Sequence, residues 1–86
     1  MIAELRAVLA RLAYLERLRA SALGAFGPGE TDARIRASVV AEHVAQELGK
    51  ENSPSLRRDL SMALHASGWR SVMCDGVRLW KGMVPL

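Results

Sequence analysis

Ten polar side chains carry most of the chemistry this chain can offer. The stretch "SPSLRRDLSMALH", residues 53–65, sets Ser55, Arg57, Arg58, Ser61 and His65 within about three helical turns. A guanidinium is a planar fork of donors that matches phosphate oxygens or a guanine edge, and serine hydroxyls suit phosphate. The stretch "GWRSVMCDGVRLWKG", residues 68–82, adds Arg70, Arg78 and Lys81, and "RIR" supplies Arg34 and Arg36. At these places the cations can meet a phosphate backbone. They also suit a solvated helix face and strand-edge charge that blocks edge pairing. Asp75, between the two apolar runs of the second stretch, opposes phosphate.

Other chemistries find little support. His43, His65 and Cys74 match no zinc-ligand spacing and are too few for a site. Cys74 has neither a base nor an oxyanion site in view. No GxxxxGK[ST] loop and no paired carboxylates occur. No metal, no cofactor and no enzymatic activity are expected. Trp69 and Trp80 could stack on bases, but a chain with four aromatic residues is expected to use them in its core.

Composition sets the frame. At 86 residues the chain is near the lower limit for a core without staples, and 50% apolar residues argue against disorder. A single cysteine excludes an internal disulfide and fits a reducing, cytoplasmic compartment. No segment is apolar enough to span a bilayer, so no membrane partner is expected. Twelve basic residues against nine acidic give +3, a moderate excess that permits nucleic-acid binding without requiring it. Ten of the twelve are arginine, a bias that a GC-rich genome produces as readily as selection for phosphate contacts.

The elements that must position these residues follow from periodicity. Residues 2–23 predict a helix with Ile2, Leu5, Val8, Leu9, Leu12 and Leu15 on an arc of about 140°, and Leu18 outside it. "GAFGPGE", residues 24–30, predicts a loop. In "TDARIRASVVAEHVAQELGK" a single helix would turn Ile35 about 180° away from Val44. A short strand at 34–36, then a helix over about 39–49 capped by Ser38, resolves the conflict. Ser53-Pro54 opens a helix that Gly68 closes, with Leu56, Leu60, Ala63 and Leu64 buried. Asp75-Gly76 predicts a type I′ hairpin pairing Cys74 with Val77, Val72 with Leu79, Ser71 with Trp80 and Arg70 with Lys81. The 34–36 strand is expected to join this hairpin as a third strand.

The order helix, short strand, helix, helix, β-hairpin is that of a winged helix-turn-helix: mainly α with a small antiparallel sheet. From "RIRASVVAEHVAQELGKENSPSLRRDLSMALHASGWRSVMCDGVRLWKG" onward, the chain resembles the C-terminal winged-helix domain of phage and mobile-element primase–helicases. The features carrying the likeness are the basic strand before a helix, the Ser-Pro turn, "LHASGW" and the basic hairpin closing on "WKG". Small phage excisionases and dimeric winged-helix repressors show similar patterns. The resemblance implies binding of double-stranded DNA, with 54–67 as recognition helix and 69–82 as wing. It covers about residues 33–82; the primase and helicase parts are absent.

Two parts are thus expected: an N-terminal helix and Gly/Pro loop at 1–27, and the winged-helix domain at 28–86. Leu5/Leu12, Val8/Leu15 and Ile2/Leu9 each recur at seven residues, which permits a homodimer seam through Leu5, Val8, Leu9, Leu12 and Leu15. Packing of this helix on its own domain is the alternative, and both can hold. A protein-interaction module on the same scaffold, without DNA, is the second functional reading.

Overall fold

The computed structural model describes residues 2–86. Its elements are α1 (Ile2–Ala25), β1 (Phe26–Pro28), β2 (Arg34–Arg36), α2 (Ala37–Glu47), α3 (Pro54–Ala66), β3 (Arg70–Cys74), β4 (Val77–Lys81) and β5 (Met83–Pro85). The protein is mainly helical with two small antiparallel sheets, β1-β5 and β2-β4-β3.

Local chemistry accounts for α3. The Ser53 Oγ accepts a hydrogen bond from the Leu56 N–H at 3.1 Å, and Pro54 occupies the first helical position. The helix buries Leu56, Leu60, Ala63 and Leu64, the expected stripe, and Gly68 at φ 93° follows its end.

The strand at 34–36 precedes α2 as expected, but the junction is tighter. α2 starts at Ala37 rather than 39, and Ser38 does not cap it. Arg36, extended at φ −64° and ψ 133°, takes the cap position without a side-chain bond. The cause is pairing: Arg36 sits opposite Leu79 in the sheet, so the strand runs straight into the helix.

The hairpin forms as read from its turn. Asp75 (φ 52°) and Gly76 (φ 77°) adopt the two positive angles that a type I′ turn requires. The register matches the expected pairs. On the other edge of β4, Arg34, Ile35 and Arg36 face Lys81, Trp80 and Leu79. Trp80 therefore sits mid-sheet, 1% exposed, in one core with Leu18, Ala22, Phe26, Val40, Val44, Leu60, Leu64 and Met83.

A further expectation fails. Residues 24–30 are not simply a loop: α1 continues to Ala25, and Phe26–Pro28 pairs with Met83–Pro85. The Gly29 N–H donates to the Gly82 carbonyl at 2.8 Å, and the Leu86 N–H to Ala25 at 2.9 Å. A Cβ at Gly29 would collide with Val84, so the glycine that reads as a loop signal permits this close pairing. In α1 most of the apolar stripe does not pack on its own domain. Ile2, Leu5, Val8, Leu9 and Leu12 are 55–71% exposed and Leu15 is half-buried, whereas Leu18, outside the predicted stripe, is fully buried. The helix meets the body through a different face, and it is the second half that enters the core, with Leu18 and Ala22.

That assignment is testable by denaturant unfolding in dilute solution. Leu18→Ala should cost about 2–5 kcal/mol, and Leu9→Ala should stay within about 0.5 kcal/mol of the parent. Equal costs would overturn this division of α1 between Leu18 in the core and Leu9 outside it.

Candidate nucleic-acid interface

α3 faces the core with its apolar stripe, so its other side carries Ser55, Arg57, Arg58 and Ser61 outward. A cleft of about 510 Å³ lies between this side, the start of α2 and the hairpin end. Ala41, Leu60, Val77 and Trp80 line its apolar part, and Arg57, Arg58, Ser61 and Arg78 supply its polar part. Ala37 and Ala41, one turn apart on α2, have side chains too small to fill it.

Two of the three guanidinium groups are held. Arg57 Nη1 donates to the Asn52 carbonyl at 2.9 Å and to Asn52 Oδ1 at 3.2 Å. Arg78 Nη1 donates to Ser61 Oγ at 3.3 Å, bridging hairpin and helix. Among the described residues Arg58 finds no side-chain hydrogen-bond partner. Among the described residues the ion pairs are Arg11–Asp59 and Arg19–Glu16, with Glu47 Oε2 3.0 Å from His43 Nε2, so none of the three arginines of the cleft forms an ion pair.

The acid closest in sequence is turned away. Asp59 lies on the buried side of α3 and accepts a 2.7 Å bond from Arg11 of α1. That hydrogen bond, reinforced by the charges of Arg11 and Arg58, holds the Asp59 carboxyl below its usual range against the opposing effect of burial.

The remaining predicted residues do not share this surface. Alternation along β4 puts Arg78 and Trp80 on one face and Leu79 and Lys81 on the other. Arg34, Lys81 and Arg70 form a single cross-strand row on that second face, with Arg36 beside Leu79 in the next row. Like charges directly opposite destabilise a sheet. Glu30 and Asp32 lie near Arg34 and Lys81 but form no ion pair with them. His65 leans on the Trp80 ring at 5.1 Å and lies 3.3 Å from Ser71 Oγ, so its ring has partners within the fold. Ser55 is exposed in the first turn of α3.

Trp69 is half-buried against the core and Trp80 is buried, as their scarcity implied. His43 packs edge-on against Phe26 and Cys74 is exposed at the hairpin end. Among the described residues no three His, Cys, Asp or Glu side chains gather as metal ligands, and no helix is long and apolar enough to cross a membrane.

Sequence reasoning missed Asn52, the alanines of α2 and the Arg11–Asp59 pair. Asp59 offered one signal, being the only acid in an otherwise basic helix. Asn52 offered none. No protein-family model, no curated protein and no solved structure matches the chain.

Asp59→Asn tests the link between α1 and α3. A carboxyl with a depressed pKa stabilises the fold above the usual carboxylate range, and this is lost as pH falls through its folded-state pKa. The variant should be less stable than the parent in urea at pH 7, and the gap should close on acidification below about pH 4. A gap constant with pH would remove the ion pair as its cause.

Proposed function

We propose that the protein binds double-stranded DNA as a winged-helix module of phage or mobile-element type, acting in replication, recombination or transcription control. The observation that carries this reading is the set of three arginines, Arg57, Arg58 and Arg78, around one cleft without a carboxylate partner. Unneutralised guanidinium groups at the junction of a helix and a hairpin suit a polyanion that lies across both. The element order adds support.

In this reading α3 enters the major groove. Arg58, unengaged by the protein, reads a base edge. Arg57 and Arg78 are pre-oriented by Asn52 and Ser61 and bind phosphates, as do Ser55 and the first turn of α3. The second cationic face, with Arg34, Arg36, Arg70 and Lys81, adds to the long-range field rather than to the same footprint.

One observation favours a second reading. The apolar lining of the cleft, with Asp75 exposed at the neighbouring turn, also suits a protein segment that buries aliphatic side chains there.

Salt separates the two. Binding of labelled random duplex, followed by fluorescence anisotropy between about 50 and 200 mM salt, should weaken with a log–log slope of about −2 for the two phosphates neutralised by Arg57 and Arg78. Arg58→Ala should cost about 1–3 kcal/mol on a specific site. Absence of binding at about 50 mM salt would sink the DNA reading and favour a protein partner.

A further inference from the structure

We infer that the first three turns of α1 are a self-association surface, and that its occupant is a second copy of this chain. Residues 2–13 are all exposed, and Ile2, Leu5, Val8, Leu9 and Leu12 are five of the ten large apolar side chains exposed among the described residues. This is not a frayed end of the core. Leu18, which does enter the core, lies about 120–180° around the helix from Ile2, Leu5, Leu9 and Leu12. The stripe therefore faces away from the body, and a second helix can lie along it without meeting that body.

Three features select a second copy over an unrelated partner. Ile2, Leu5, Leu9 and Leu12 are spaced 3-4-3, the alternation of a two-helix seam in which each copy supplies knobs for the other. A two-fold interface sets a patch against itself, so it tolerates no net charge of one sign. The stretch carries Glu4 and Arg6, of opposite sign, and Arg11, whose charge is paired with Asp59 on the body side, while the unpaired arginines of the cleft and sheet lie elsewhere. The area is also adequate: five side chains at the observed exposures present roughly 400–500 Å² per copy, about 900 Å² for the pair, which matches a weak, concentration-dependent dimer. This inference does not rest on DNA binding, because the seam and the cleft share no residue.

Sedimentation velocity of the full chain, kept reduced so that exposed Cys74 cannot cross-link it, is the test. A monomer–dimer equilibrium in the range of about 10–100 µM is expected. The double variant Leu5→Glu/Leu9→Glu should raise the midpoint at least about 100-fold while keeping the parent's circular dichroism spectrum and duplex affinity per monomer. Should the glutamates disturb the helix, Leu5→Ala/Leu9→Ala keeps helix propensity and should still raise the midpoint about tenfold. A parent that is monomeric at millimolar concentration, or variants that dimerise as the parent does, would overturn the inference.

Discussion

Burial of Trp80 is the constraint on which the rest of the structure depends. It occupies the middle of the central strand, opposite Ile35 on one side and Ser71 on the other, and its ring meets α3 through His65. Its Nε1–H finds no acceptor among the described residues, which costs about 1–3 kcal/mol when buried. An indole buries about 200 Å², worth roughly 5 kcal/mol at 25 cal/mol per Å², so the ring's burial prevails. Because side chains alternate along a strand, placing Trp80 inward also sends Arg78 toward α3 and Lys81 to the opposite face. A one-residue slip would exchange every one of these assignments.

The distribution of charge follows from that register and from α3. The helix sends Asp59 inward to Arg11 and leaves Arg57 and Arg58 facing the cleft, so the acid that would have neutralised them serves the fold instead. Register completes the pattern by adding Arg78 from the hairpin. On the other face it aligns Arg34, Lys81 and Arg70 in one row, a repulsive arrangement that a fold of this size tolerates because all three heads reach solvent. Cations set out in this way are more costly alone than beside an anion, which is the physical ground for the polyanionic partner proposed above.

α1 divides its duties by angle. Its second half supplies Leu18 and Ala22 to the core and leads into Phe26, so the helix is bound to the body along one side. Arg11 fastens the same side to α3 through Asp59. The leucines of the first half lie on the far side. Two apolar faces on one helix, displaced both along and around it, explain why the strongest sequence periodicity did not mark the core.

Signals contained within a few consecutive residues were legible from the sequence alone. Ser53-Pro54 and Gly68 bounded α3, Asp75-Gly76 set the hairpin and its register, and the phase conflict between Ile35 and Val44 separated β2 from α2. These depend on backbone angles and local hydrogen bonds, which residue type controls directly. Only the tertiary structure decided the rest. Phe26–Pro28 became a strand because Met83–Pro85, more than fifty residues away, came to pair with it. Leu18 was buried and Leu9 was not because the body docked on one side of a helix that has two apolar faces. The candidate cations of the sheet divided between two faces because strand alternation around Trp80 sent Arg78 one way and Lys81 the other. Each of these outcomes is set by which distant surfaces meet, and no local propensity encodes that.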